Sequence, residues 1–189
     1  MFERRNIENL YRLSPLQGGI LYHHLAEPNG FAYHEQFTYR LTGGELELEP
    51  FRRAWQELAQ RHESLRTVFV SREVPEPLQV VLRRGEIEFS VEDLRGLSHE
   101  AQAARLRAAE VEDLERGFDL GRGPLMRVRV FQEGNSRSAL IWSFHHIIMD
   151  GWCLSVILPE LLTVYQGLRK GNVPLLPPAP QYRLSLIHI

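Results

Sequence analysis

Alternating apolar and polar positions predict strands in five parts of the chain. From Phe31 to Leu41 aromatic and aliphatic residues recur at even spacing before a glycine pair, which indicates a strand with one buried face. Apolar and β-branched runs predict further strands at 65–70, 78–82, 125–132 and 138–144. Gly134, Asn135 and Ser136 separate the last two runs and favour a hairpin.

Helical patterns separate these strands. Ser14, Pro15 and Gln17 predict an N-cap, a first-turn proline and a capping box. Further helices are predicted from Glu49, from Ser98 to about residue 116, and over 151–170, where a proline at 159 should kink the helix or shift its start. Because the hairpins imply antiparallel pairing, we expect an α/β (α+β) fold, a two-layer sandwich with a largely antiparallel sheet.

Composition narrows the function classes. The chain has 189 residues, 43% of them hydrophobic, which suits one soluble domain. Its net charge of -2 gives no global reason to bind nucleic acid or an acidic membrane, although it leaves room for small basic patches, for instance around Arg122, Arg127 and Arg129. A lone Cys153, no apolar run of membrane-spanning length and no recognisable signal peptide predict a cytoplasmic protein.

The candidate chemistry lies after the apolar run 139–144. His145 and His146 follow it directly, Asp150 comes four residues after His146, and Gly151 follows Asp150. Histidine transfers protons near neutral pH, an aspartate orients an imidazole, and glycine allows close approach of the backbone. A surface turn with a satisfied histidine pair is the alternative interpretation. Adjacent strand residues point to opposite faces, so the two histidines should not both line a cleft.

Three segments together resemble one family. The pattern His-His-x-x-x-Asp-Gly at 145–151 resembles the signature of condensation domains of non-ribosomal peptide synthetases, shared with chloramphenicol acetyltransferase-like acyltransferases. Residues 61–69 resemble the family's Arg-His-Glu-x-Leu-Arg-Thr-x-Phe segment, and residues 13–23 resemble its opening segment. All three occur in the family's order, which makes the combination far more specific than any one of them.

The resemblance implies a domain organisation. Condensation domains have two chloramphenicol acetyltransferase-like lobes with the active site between them, and their length is about twice that of this chain. Residues 1–171 are therefore expected to form the N-terminal lobe, and 172–183 a proline-rich linker towards a missing C-terminal lobe. Residues 184–189 match nothing expected of the family and are interpreted as a tail of foreign or frameshifted origin.

The resemblance also implies a reaction. The family joins a donor acyl thioester to the amine of an acceptor aminoacyl group. Both substrates are attached to 4'-phosphopantetheine arms of upstream and downstream peptidyl carrier proteins. An adenylation domain is expected as a neighbouring domain. No cofactor or metal is expected on the chain itself. The sequences of the opening segment and of the histidine motif are similar to those of the condensation subtype that joins a D-donor to an L-acceptor. A carrier-binding lobe without turnover and a coenzyme A-dependent acyltransferase of the same superfamily are the alternatives.

The family's residue roles transfer by motif position. His146 corresponds to the catalytic histidine, and His145 is expected to be a packed or hydrogen-bonded support within the same catalytic motif. Gly151 either offers its N–H to the oxyanion or simply permits the turn. The resemblance further implies that Arg66 and Asp150 form an ion pair that holds the histidine loop.

Three further residues have weaker interpretations. His23 in the opening segment and Trp152 after the motif are cleft-lining candidates. Cys153 stands at a helix start, where a thiol pKa can fall, but the family does not use a nucleophile there. A metal site at the histidine pair lacks a third ligand at recognisable spacing.

Overall fold

Two β-sheets organise the part of the chain that the computed structural model describes, residues 4–27, 30–172 and 174–179. The strands are β1 (Ile7–Arg12), β2 (His34–Thr42), β3 (Thr67–Val70), β4 (Leu78–Leu82), β5 (Glu88–Asp93), β6 (Met126–Gly134) and β7 (Arg137–His145). The α-helices are α1 (Pro15–Ala26), α2 (Leu48–Arg61), α3 (His99–Arg116) and α4 (Gly151–Arg169), with 3-10 turns at Arg4–Asn6 and Glu63–Arg66.

Strand pairing is mostly antiparallel, as predicted. The larger sheet has the order β2-β7-β6-β5, and only the β5–β6 pair in it is parallel. The smaller sheet has the order β1-β4-β3 and is antiparallel throughout. The predicted hairpins β3–β4 and β6–β7 are confirmed. Strands β1 and β5 were not predicted. The strand predicted over 65–70 begins only at Thr67.

Strand β7 lies at the centre of the core because both of its faces are covered. Trp142 packs against Trp55 of α2, with ring centroids 5.1 Å apart, in the cluster that also contains α4. Ile141, its neighbour, belongs to a second cluster with Leu106 and Ala109 of α3. The α/β fold with helices on a sheet is confirmed, and α3 adds a layer on the second face.

Local capping explains where two helices begin. The Ser14 hydroxyl accepts the Gln17 N–H at 3.2 Å while the Gln17 side chain accepts the Ser14 N–H at 3.0 Å, which is the predicted capping box. Ser98 caps α3 by accepting the Ala101 N–H at 3.3 Å. Gln17 also donates to the main-chain oxygen of Ile147 at 3.4 Å, so the cap ties α1 to the loop that follows β7.

The described part of the proline-rich segment packs against α2, α4 and the main core. Leu176 contacts the main core, and Arg61 donates to the main-chain oxygen of Pro177. Pro174 lies so close to Gly167 of α4 that a Cβ there would come within 2.5 Å of it. The rest of the predicted linker to residue 183, and the whole tail 184–189, lie outside the described residues.

Within the described ranges, no helix combines the length and the hydropathy that crossing a bilayer requires.

Candidate active site in the histidine loop

A short loop joins the end of β7 to the start of α4, and it is anchored from several sides. Its three apolar residues, Ile147, Ile148 and Met149, are buried in the main core. The main-chain N–H of His145 donates to Leu125 at 3.0 Å, and that of His146 donates to Tyr33 at 2.7 Å. Burial of the apolar residues and these main-chain bonds hold the loop in one conformation, in which His146 is half-buried and Asp150 is exposed.

His146 is oriented by a hydrogen bond within the loop. Its Nδ1 lies 2.9 Å from the main-chain oxygen of Met149. A carbonyl oxygen only accepts, so Nδ1 carries the proton and Nε2 of the neutral ring carries the lone pair. The side chain is half-buried, and within the described residues Nε2 has no hydrogen-bond partner. His146 therefore presents a proton acceptor of fixed direction.

His145 has the opposite environment. It is buried, and its Nδ1 accepts the main-chain N–H of Ile147 at 3.2 Å. Burial lowers the pKa of His145 to about 3, with further lowering by the nearby imidazoles of His24, His34 and His146. His145 is thus neutral at physiological pH and packs edge-on against His24, with ring centroids 5.2 Å apart. This environment supports the packed role expected for it.

A buried charge network lies behind His145. Asp113 of α3 accepts hydrogen bonds from Arg127 at 2.8 Å, from the His34 ring at 3.3 Å and from Gln36 at 3.0 Å. It also accepts from the Ser143 hydroxyl. Burial favours the neutral carboxyl, but the hydrogen bonds from His34, Arg127 and Ser143 outweigh it and hold the pKa of Asp113 well below its usual range.

Arg127 completes the network, and its burial excludes it from a basic surface patch. Its guanidinium donates to the main-chain oxygens of Gly117 and Asp113 at 2.6 and 2.9 Å and stacks 4.1 Å from the centroid of Phe118. Only 3% of the residue is exposed. Sequence reasoning missed Asp113 because it stands among many charged residues of α3 without a local signal.

The ion pair expected between Arg66 and Asp150 is not formed, and this prediction was wrong. Arg66 is buried and donates to Glu8 of β1 at 2.7 Å and to the main-chain oxygen of Leu82. The Asp150 carboxylate instead accepts the main-chain N–H groups of Trp152 and Cys153 at 3.0 and 3.2 Å, so it caps α4. Each charge has a nearer partner, and β1, which supplies Glu8, was absent from the sequence interpretation.

The remaining candidate residues lie at the start of α4 and on α1. Gly151 is the first residue of α4, and a Cβ there would meet nothing within 4 Å, so no close contact among the described residues demands glycine. Trp152 beside it is 85% exposed. His23 is exposed on α1 and lies 6.2 Å from the ring of Tyr33, which in turn lies 6.5 Å from the ring of His146. Burial raises the pKa of the Cys153 thiol, which disfavours a nucleophilic thiolate.

No group of three or more His, Cys, Asp or Glu side chains in the described ranges is placed to hold a metal ion.

Fold and site together define an α/β domain that presents a histidine pair at the end of a sheet strand. A mostly antiparallel sheet ends in one buried and one accessible imidazole, and a short loop leads from them to a helix. The family model "Condensation domain" matches residues 7–184. The chain therefore belongs to the condensation domain family.

Curated relatives belong to peptide synthetases. The chain is 41% identical over 168 residues to one of the proteins that make up mycosubtilin synthase of Bacillus subtilis, covering 89% of this chain and 6% of that protein. It is 35% identical over 169 residues to gramicidin S synthase 2 of Brevibacillus brevis, covering 89% of this chain and 4% of that protein. The chain thus spans a small part of these relatives.

Solved structures share the fold. The starter condensation domain of rhizomide synthetase superposes with a TM-score of 0.83 at 22% identity, covering 96% of this chain and 45% of that chain. The first condensation domain of the calcium-dependent antibiotic synthetase, in complex with a substrate analogue, gives a TM-score of 0.79 at 21% identity, covering 90% and 41%. The chain spans less than half of either structure.

Proposed function

We propose that this chain is the N-terminal lobe of a non-ribosomal peptide synthetase condensation domain and that His146 serves amide bond formation in the cleft. The observation that carries the proposal is the 2.9 Å bond from His146 Nδ1–H to Met149, which leaves Nε2 as an accessible acceptor. Family membership and the synthetases among the relatives support it. The share of the solved condensation-domain chains that this chain covers, 45% and 41%, supports the single-lobe interpretation.

The reaction needs one proton acceptor near the attacking amine. The amine nitrogen bonds to the thioester carbonyl carbon, the tetrahedral intermediate collapses, and the carbon–sulfur bond breaks. His146 Nε2 orients the amine, accepts a proton from its nitrogen and returns one to the leaving thiolate. An α-amine has a pKa of about 8, so a fair fraction is already neutral in the cell, and orientation contributes alongside deprotonation.

The remainder of the machinery is supplied by partners. The C-terminal lobe closes the cleft, and upstream and downstream peptidyl carrier proteins bring donor and acceptor on phosphopantetheine arms after loading by an adenylation domain. Trp152 and His23, both exposed, contribute to the rim of the cleft. Asp150 and Gly151 belong to the loop that holds His146 in place, and Arg66 supports the lobe beneath it through Glu8. The donor of this subtype ends in a D-residue and the acceptor is an L-residue.

A reconstituted condensation assay tests the proposal. Donor- and acceptor-loaded carrier proteins are mixed with this chain alone, with this chain plus a matching C-terminal lobe, and with the same pair carrying His146→Ala. We expect amide product only in the complemented sample, a loss of at least a hundred-fold with His146→Ala, and faster reaction with donors ending in a D-residue than with their L-epimers.

The control is His99→Ala, which removes an exposed histidine on α3 and should leave the rate unchanged. Undiminished product formation with His146→Ala would contradict the role of this residue. Carrier binding without product in any sample would instead favour a binding lobe without turnover. Equal rates with both donor epimers would remove the subtype assignment alone.

A further inference from the structure

Tyr33 has an unusual backbone conformation next to the histidine loop. Among the described non-glycine residues, Tyr33 and Glu73 have positive φ, 66° and 60°. Glu73 is exposed between β3 and β4, where a polar residue meets few constraints. Tyr33 is half-buried and bulky, and left-handed backbone is unfavourable for such a side chain. Strain of this kind persists only where the surroundings determine it, and it concentrates at functional sites.

The turn that contains Tyr33 is closed by a main-chain bond. The N–H of His34 donates to the oxygen of Phe31 at 3.1 Å, which makes Tyr33 the third residue of a four-residue turn. Glycine or asparagine is common at that position when φ is positive. Directly after the turn, β2 begins and His34 pairs with His145, so the turn is fixed in register with the end of β7.

Tyr33 contacts His146 through both its backbone and its ring. Its main-chain oxygen accepts the His146 N–H at 2.7 Å. Its ring lies 6.5 Å from the ring of His146, 6.3 Å from that of His145 and 6.2 Å from that of His23. The ring therefore stands between α1 and the histidine loop. Glycine would satisfy the turn and the main-chain bond without strain, so the ring itself must account for a tyrosine at this place.

We infer that Tyr33 is a positioning residue for His146, which deepens the proposed function and rests on it. The left-handed turn directs the Tyr33 carbonyl to the His146 backbone, and the ring packs beside the imidazole. His146 is then fixed at three points, its N–H, its Nδ1–H and one side of its ring. These contacts keep the bond to Met149 closed and keep Nε2 pointing in one direction.

The test replaces the ring and the backbone conformation separately. Tyr33→Gly keeps the turn and removes both ring and strain, Tyr33→Asn removes the ring with a residue that tolerates positive φ, and Tyr33→Phe keeps the ring. In the complemented assay we expect Tyr33→Gly and Tyr33→Asn to lower kcat at least ten-fold with KM for both carriers within two-fold. Tyr33→Phe should restore most of the rate.

A second readout does not depend on the reaction. Nitrogen NMR of His146 in this chain should show protonated Nδ1 and bare Nε2 in the parent, and a mixture of both tautomers in Tyr33→Gly and Tyr33→Asn. Glu73→Gly is the control, because it relieves the same backbone conformation away from the loop and should change neither readout.

The outcomes separate this inference from the proposed function. A tautomer mixture in the glycine and asparagine variants supports the positioning role, even where the parent forms no amide and the proposed function fails. An unchanged tautomer in both variants would overturn the inference. An equal loss of kcat in Tyr33→Phe, which keeps the ring, would also overturn the inference. The loss would then follow removal of the hydroxyl and not removal of the ring.

Discussion

The end of β7 has two sides that differ in almost every physical property. On the side facing α3, His145, Asp113 and Arg127 are all at most 3% exposed, and Asp113 and Arg127 are bonded to each other. On the loop side, His146 is half-buried and Asp150 is exposed. Two consecutive histidines with the same intrinsic chemistry are therefore held in different states, one packed and neutral, the other oriented and accessible.

Strand geometry produces this difference. Neighbouring residues of a strand point to opposite faces, so a histidine that ends β7 on the α3 face is followed by one that leaves that face. Burial then lowers the pKa of His145 to about 3 and removes it from proton transfer. A support residue and a candidate base can therefore be adjacent in sequence without competing for a substrate.

The largest expected loss of stability comes from removing the carboxylate on the buried side. Asp113→Ala leaves Arg127 buried without its charged partner, and we expect a loss of about 3–5 kcal/mol in the free energy of unfolding. Urea denaturation measures this value. Glu115→Ala on the same helix is the control, because that side chain is exposed and its removal should leave the midpoint nearly unchanged. Equal effects of the two variants would contradict a buried network.

Acid should have the next largest effect, because it acts on the buried His145. His145 has a lowered pKa in the folded chain, so below the ordinary value of 6.5 the unfolded state binds a proton that the folded state does not. Stability is therefore complete above that value and falls with decreasing pH until about pH 3. Between about pH 7.5 and 4.5 the loss from His145 alone should be roughly 2–3 kcal/mol.

The comparison variant for this titration is His145→Gln, which cannot titrate. The lowered pKa of the His24 ring, again mainly from burial, adds a loss of the same sign in both proteins. Asp113 also has a lowered pKa, and its stabilisation is lost only below its ordinary value of 3.8, outside the chosen range. Urea denaturation at both pH values should show a smaller change in His145→Gln than in the parent. Identical changes would mean that His145 takes up its proton without unfolding.

The sequence predicted those parts of the fold that depend on local signals. Ser14 and Ser98 begin helices where expected, since a cap acts over three residues. Strand β1 was missed because its apolar pattern is out of phase with its burial, with Leu10 turned to solvent at 53% exposure and Asn9 half-buried. This strand is determined by its pairing with β4, about seventy residues further along the chain. No local sequence pattern indicates that pairing.

The same limit applies to the candidate site. The histidine loop was recognised because His145, His146 and Asp150 are close in sequence. Asp113 was not, because its bonds to His34 and Ser143 join residues 79 and 30 positions apart. The pairing of Arg66 with Glu8 crosses 58 positions. Charges in the sequence specify that partners exist, whereas the sheet register decides which ones meet.

The smallest expected effects test the loop side, where Asp150 acts as a cap. Asp150→Ala should lower the free energy of unfolding by about 1 kcal/mol, because two N–H groups of α4 lose their acceptor, and Asp150→Ser should keep most of that stability.

A double-mutant cycle between Arg66 and Asp150, measured by urea denaturation, should give a coupling energy below about 0.5 kcal/mol because the two residues share no partner.

The matched cycle between Arg66 and Glu8 should give a clearly larger coupling, because these side chains meet at 2.7 Å and the arginine is buried. The two cycles use the same arginine, so any general cost of removing it cancels between them. A coupling above about 1 kcal/mol with Asp150 and none with Glu8 would restore the ion pair that the motif implied. The loop would then depend on a buried charge. Buried charged groups would in that case support both sides of the end of β7, and not only the side facing α3.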